Sequence, residues 1–338
     1  MKLATSDFQA PDDWLSIRSI DMHTAGEPLR VILDGFPQVQ GSSVLDYRRY
    51  IKSNHDDLRT ALMFEPRGHA DMYGVVVTPS QMADFGVVFM HNEGYSTMCG
   101  HATLAIARLA VEMGWVPREE PLTRMTIEAP CGLLQAEVEV KGHQTGALRF
   151  TNVPSFVVAL DQKTRVPDLG EVCYDLAYGG AFYAFVQASS VDLSCHPSHH
   201  DQLIQKGMAI KRAIMKGRLV EHPVEADLSF LYGTIFIGEP EDAGSDSRNV
   251  CIFAEGEVDR SPTGSGVSAR AAIHHQRGEL AVGAPMRIES ILGTTFDVKI
   301  LEALTYEGLS AVIPEVSGSA YVTGKHEFLI DPQDPLRQ

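Results

Sequence analysis

Two segments of the chain hold side chains able to move a proton. "STMCGHATLAIARLAVEMG" runs from Ser96 to Gly114, and "VDRSPTGSGVSARAA" runs from Val258 to Ala272. In the first, Cys99 opens an alanine- and leucine-rich helix pattern, with Ser96 and Thr97 ahead of it as capping residues. A thiol at a helix start feels the positive end of the helix dipole and unpaired N–H groups. Both effects are expected to lower its pKa and favour thiolate. His101 follows in the same turn, placed to bond a substrate or tune the thiol. In the second segment Asp259, Arg260, Ser261 and Pro262 lead into Thr263, Gly264, Ser265 and Gly266. Glycines at a helix start let backbone N–H groups reach an anion. A small carboxylate is the natural guest and a phosphate the alternative. No lysine stands beside "TGSG" and no βαβ pattern surrounds it, which speaks against a nucleotide site.

The elements that position these residues form a repeat. The two segments align without a gap: Cys99 with Thr263, Gly100 with Gly264, His101 with Ser265, Ala105 with Ala269, Ala107 with Ala271 and Gly114 with Gly278. Each closes on a glycine suited to a left-handed helix stop. Around them the chain reads as short β-runs such as "SIRSIDMH", "LRVIL", "MYGVVVTP", "FGVVFMH", "LLQAEVEV", "AFYAFVQA", "NVCIFAE" and "TTFDVKIL". Their alternation and their Gly, Pro and Asp boundaries predict antiparallel strands. Helices are predicted over Cys99 to Met113, Asp201 to Lys216, Thr263 to Gln276, and near Ser43 in "SSVLDYRRYIKS". A helix with small residues all round can be wrapped by strands at close range. The expected fold is therefore α+β, with two pseudo-symmetric lobes. Each is a curled, mostly antiparallel sheet or barrel around a central α-helix. The expected division is 15–155 plus 312–335 for the lobe carrying Cys99, and 156–311 for the lobe carrying Thr263. The crossover falls near "TNVPSFVV", where Pro154 interrupts. If the two helix starts face each other, a small amino acid fits between them with its α-carbon flanked on both faces. That geometry suits α-proton removal without metal or pyridoxal, with aimed N–H donors stabilising the carbanion.

Composition narrows the partners. The chain has 338 residues, with 28 Lys and Arg against 44 Asp and Glu, a net charge of −16. This balance argues against nucleic acid and against anionic membranes. The longest apolar runs fall far short of a membrane span. The N-terminal "MKLATSDFQAPDDW" does not read as a signal peptide. Five cysteines, an odd and sparse set, do not make a disulfide framework, so a reducing cytoplasm is expected. Cys131, Cys173 and Cys251 read as buried strand residues without a role. "CHPSHHD", with Cys195, His196, His199 and His200, has short spacing and reads as a solvated loop rather than a metal site. His23 sits by Gly26 and Pro28 in an expected tight turn.

Four motifs in one order, "DMHTAGEPLRVI" (Asp21 to Ile32), "MCGHATLAIARL" (Met98 to Leu109), "YGGAFYAFV" (Tyr178 to Val186) and "DRSPTGSGVSARAA" (Asp259 to Ala272), resemble the proline racemase family over nearly the whole chain. The resemblance implies a fold like that of diaminopimelate epimerase. It implies no cofactor and no metal, a small imino-acid substrate of the hydroxyproline or proline type, and a homodimer as a common assembly. Racemases and 4-hydroxyproline epimerases of this family carry a cysteine at both helix starts, one thiolate removing the α-proton and the other thiol returning one. This chain matches at Cys99 and departs at Thr263. The Cys/Thr pair resembles the trans-3-hydroxy-L-proline dehydratases of the family. A threonine hydroxyl does not titrate in the accessible range and is a poor partner in a two-base relay. In trans-3-hydroxy-L-proline the α-hydrogen and the hydroxyl share a ring face. Cys99 alone could take the proton and then, as thiol, help the hydroxyl leave, giving Δ1-pyrroline-2-carboxylate. By resemblance Gly100 and His101 contact substrate from the first lobe, Asp259 meets the ring ammonium, and Gly264 and Ser265 meet the carboxylate. Arg30, Phe182 and Tyr183 are candidates for closing over C3 and C4. The competing readings are a proline racemase or 4-hydroxyproline 2-epimerase that tolerates Thr263, and a non-catalytic imino-acid binder.

Overall fold

The computed structural model describes residues 8–217 and 220–338. The first seven residues of the N-terminal stretch weighed above as a leader lie outside them. Among the described residues, 17 strands form one continuous hydrogen-bonded system. Its pairing directions repeat. Glu27–Asp34 runs parallel to Tyr73–Thr78, which is antiparallel to Phe85–His91. That strand is parallel to Leu122–Ala129, which begins the antiparallel run through Gly132–Lys141 to Gln144–Thr151. In the second half Phe182–Gln187, Leu231–Gly238, Ser247–Phe253, Pro285–Glu289, Thr295–Tyr306 and Leu309–Gly318 follow the same order: parallel, antiparallel, parallel, antiparallel, antiparallel. The helices repeat as well. Val44–Asn54 and Asp56–Met63 lie in the first crossover, and His200–Gly217 lies in the matching one. The Ser43 hydroxyl caps the first of these by accepting from Asp46 N at 3.2 Å. The fold is α+β with two pseudo-symmetric lobes.

Each lobe curls round one helix. In the second, Leu309–Gly318 pairs with Ser155–Val166, which pairs through Gly170–Tyr178 back to Phe182–Gln187 and closes the ring. In the first, Leu15–Thr24 joins Glu27–Asp34 to Ala320–Ile330. The end of Leu309–Gly318 also pairs with Gln144–Thr151. One long strand therefore serves both rings.

The enclosed helices are Gly100–Met113 and Gly264–Gln276. Ala102, Ala105, Ala107 and Ala110 of the first are fully buried, and so are Ala269 and Ala271 of the second. Small side chains on every face let strands approach from all sides, as a helix without a polar face requires. Gly114 stops the first helix at φ +71°, and Gly278 follows the second at φ +75°.

The two helices meet at their N-terminal glycines. A Cβ on Gly100 would lie 2.5 Å from Gly264 Cα, and a Cβ on Gly264 would lie 2.7 Å from Gly100 Cα. In an exposed helix, alanine would be favoured over glycine by about 1 kcal/mol. Here the obstacle is backbone, which cannot turn aside. We predict that Gly100→Ala reverses that preference and destabilises the fold by about 1–3 kcal/mol, the range for overpacking. Denaturant unfolding measures it, and catalytic efficiency falls with it because the helix starts are forced apart.

Candidate active site

The paired helix starts wall a small chamber. It is lined by Cys99, Gly100, His101, Asp259, Thr263, Gly264 and Ser265, so all seven residues singled out in the sequence converge. Its free volume is about 20 Å³, on the order of one water molecule.

Cys99 is the N-cap of its helix, with extended backbone (φ −147°), and its Sγ accepts from Ala102 N at 3.4 Å. It replaces the expected caps. The Ser96 hydroxyl bonds Tyr73, and the Thr97 hydroxyl donates to Gly180 O of the other lobe at 2.7 Å. His101 Nδ1 lies 3.2 Å from Cys99 Sγ. Its ring is also held by the Pro28 carbonyl, and burial lowers its pKa to about 3, so the imidazole is neutral. The expectation of a lowered Cys99 pKa is corrected. Burial pushes the thiol well above its usual range, Asp259 and Glu27 add to the rise, and the hydrogen bond from Ala102 N with the nearby Tyr73 phenol offsets only part of it. Desolvation outweighs the helix end because the thiol is 5% exposed and the nearest charges are negative.

The second helix start has a different construction. Asp259 Oδ1 accepts from Ser261 N at 2.8 Å, and Ser261 Oγ accepts from Thr263 N at 3.1 Å. These two turns deliver Thr263 at φ +68°, an outlier for a β-branched residue. Such strain persists only where the surroundings enforce it, and it gathers at functional positions. Thr263 Oγ1 is buried without a well-formed hydrogen bond, beside the Cys251 thiol and the Asp259 carboxylate. Ser265 Oγ bonds the Tyr183 hydroxyl at 2.6 Å.

Several side chains of the chamber carry no signal in the sequence. Tyr73, Met98, Tyr232 and Phe253 line it, and so does Cys251, which was assigned no role. Tyr73, Tyr232, Cys251 and Phe253 sit in strands buried on nearly every residue, and Met98 in the loop before the helix, so their patterns mark them only as buried. Of the three candidates for closing over the ring, Tyr183 lines the chamber. Phe182 instead packs against Tyr178 and Phe156. Arg30 bonds Asp21 and the carbonyls of Leu62 and Arg67, so its charge is already used. Cys173, expected to be buried, is exposed. His23 accepts from Gly26 N at 3.2 Å in the expected turn. In "CHPSHHD", His196 and His199 bond the loop's own Ser198 and Ser194. No group of three or more metal-ligand side chains with binding geometry occurs among the described residues.

With this geometry established, comparison gives the family. The model for proline racemase matches residues 19–338, and the chain belongs to that family. A trans-3-hydroxy-L-proline dehydratase of Colwellia psychrerythraea is 49% identical, covering 96% of this chain and 92% of its own. A 3-hydroxyproline 2-epimerase of Burkholderia multivorans is 46% identical, covering 95% and 96%. Among solved structures, a hydroxyproline epimerase of Agrobacterium vitis with bound trans-4-hydroxy-L-proline superposes with a TM-score of 0.90. It is 30% identical and covers 96% of this chain and 94% of its own.

Burial raises the Asp259 pKa from 3.8 to about 6. Between these values the folded protein holds a proton that the unfolded chain releases. The group therefore costs stability as pH rises through this window, and the cost is constant above it. Two units correspond to about 3 kcal/mol. We predict that Asp259→Asn stabilises the protein at pH 8 and has little effect at pH 4. Thermal unfolding at the two pH values checks the sign.

Proposed function

We propose that this chain is a cofactor-independent hydro-lyase that dehydrates trans-3-hydroxy-L-proline to Δ1-pyrroline-2-carboxylate. The observation that carries the reading is the asymmetry of the chamber. A thiol stands at one helix start, and a hydroxyl that does not titrate stands at the other. A syn elimination needs its base on one face only, the face shared by the α-hydrogen and the 3-hydroxyl. The dehydratase relative supports the same substrate.

The roles follow from the geometry. The substrate carboxylate lies toward the helix starts at Gly100, Gly264 and Ser265, where backbone N–H groups point outward. Its ring ammonium pairs with Asp259, which binds in its ionised form. This cation also supplies the positive charge that the protein does not place beside Cys99. Cys99 as thiolate takes the α-proton, and neutral His101 orients the thiol. Thr263 walls the opposite face without exchanging protons. A chamber of one water's size cannot admit a proline ring, so the lobes part to bind and close again to exclude water. The division into 15–155 plus 312–335 and 156–311 belongs to this reading, supported by the strand Leu309–Gly318 that serves both rings. A homodimer and a reducing cytoplasm also belong to it. Five free cysteines support the second, and no described helix is long and apolar enough to cross a membrane.

A second reading has its own observation. Cys251 places another thiol next to Thr263. A proton returned from that side would make the chain a 3-hydroxyproline 2-epimerase, as the Burkholderia relative is named. NMR in D₂O without added cofactor decides between them. We expect trans-3-hydroxy-L-proline alone to give the cyclic imine, and trans-4-hydroxy-L-proline and L-proline to remain unchanged. Inverted, α-deuterated 3-hydroxyproline would favour the epimerase. Dehydration should disappear in Cys99→Ser and largely survive in Thr263→Ala. Full activity in Cys99→Ser would end the proposal.

The pH dependence has a definite sign. Both Asp259 and Cys99 act deprotonated, so kcat/KM should rise with pH, first through about 6 for Asp259. Asp259→Asn should remove that lower inflection along with most of the activity.

A further inference from the structure

Dehydration requires a proton for the departing hydroxyl, and Cys99 has just received one. We infer that Tyr73 carries it: the phenol is the general acid of the reaction, recharged by Cys99. This rests on the dehydratase reading above and goes beyond it by assigning the second proton transfer to a second residue.

Four observations place Tyr73 there. It is buried and lines the chamber on the Cys99 side. Its hydroxyl bonds Ser96 Oγ, two residues before Met98 and on the loop that delivers Cys99. The Cys99 and Tyr232 side chains line the same chamber of one water's size, so the phenol and the thiol are near neighbours there. Its ring stands edge-on to His101 at 4.9 Å between centroids, which fixes its direction. The other groups near Cys99 serve less well. His101 is neutral and already engaged with Pro28. Asp259 is committed to the ammonium. Thr263 lies across the chamber on the wrong face. Burial holds Tyr73 protonated throughout the working range, so the donor is always loaded.

The step balances. Cys99 thiolate takes the α-proton and becomes a thiol. The C–H electron pair becomes the C2–C3 double bond, and the C3–O bond breaks with its pair on oxygen. That oxygen takes the phenolic proton of Tyr73, and the phenolate oxygen takes the S–H proton. The products are water and the enamine, which tautomerises to the imine. The enzyme returns as thiolate and phenol. No free tyrosinate accumulates, which suits a phenol whose ionisation is disfavoured by burial.

The test is Tyr73→Phe in the full-length protein. Dehydration of trans-3-hydroxy-L-proline should fall by about 10²–10⁴-fold in kcat, the usual worth of a general acid. Removal of the α-proton should persist, seen as deuterium appearing at C2 of unreacted substrate in D₂O. trans-3-Fluoro-L-proline separates the roles further, since fluoride leaves without a proton. Tyr73→Phe should release fluoride at close to the wild-type rate, and that rescue also shows that the variant is folded. Near-normal dehydration by Tyr73→Phe would overturn the assignment. Parallel loss of dehydration, exchange and fluoride release would overturn it too, by making Tyr73 a structural residue. A wild-type enzyme that leaves the 3-hydroxy compound untouched would instead overturn the dehydratase reading on which the assignment stands.

Discussion

Two helices of this protein meet end to end at a pair of glycines, and the rest of the structure depends on that contact. Gly100 and Gly264 lie so close that a Cβ on either would strike the other's backbone. Both helices present their positive ends to the same point, an arrangement that repels itself unless negative charge sits between them. A substrate carboxylate supplies that charge. The convergence thus makes a weak spot in the apo fold and a strong site for a small anionic ligand. The curled sheets hold the helices in place, and their buried alanines let the strands come close enough to do so.

The chemistry rests on opposed electrostatic demands. Burial keeps Cys99 a thiol, keeps His101 neutral and raises Asp259 toward neutrality. Without a cation the chamber holds an uncompensated carboxylate beside a reluctant thiol. An imino-acid ammonium answers both at once: it pairs with Asp259 and favours thiolate at Cys99. The reactive form of the enzyme is in this way tied to the presence of its substrate. Strain at Thr263 belongs to the same economy, since two successive side-chain turns hold a β-branched residue where glycine would be relaxed.

Much of this was legible in the chain. The gapless alignment of Cys99–Gly114 with Thr263–Gly278 gave the pseudo-symmetry. The helix starts gave the site, because capping and glycine placement are local properties. The strands were legible from alternation. Less legible were the residues brought in from other strands. Tyr73 opens "YGVVVT" with nothing to separate it from an ordinary inward tyrosine, and Cys251 in "NVCIFAE" looks like any buried strand cysteine. Arg30 stood as a candidate for closing over C3 and C4, and its partners Asp21, Leu62 and Arg67 were invisible until the fold set them beside it.

The amino-acid sequence by itself determined the two matched helices, the glycines that let them touch, and a cysteine opposed to a threonine. Each of these is written in neighbouring residues, where backbone geometry and side-chain size act directly. The tertiary structure decided which way the thiol titrates, which phenol stands beside it, and how little room the chamber leaves. Those properties depend on desolvation and on charges brought together from distant parts of the chain. A helix start in water would have lowered the Cys99 pKa; the same helix start, walled by strands and faced by Asp259, raises it.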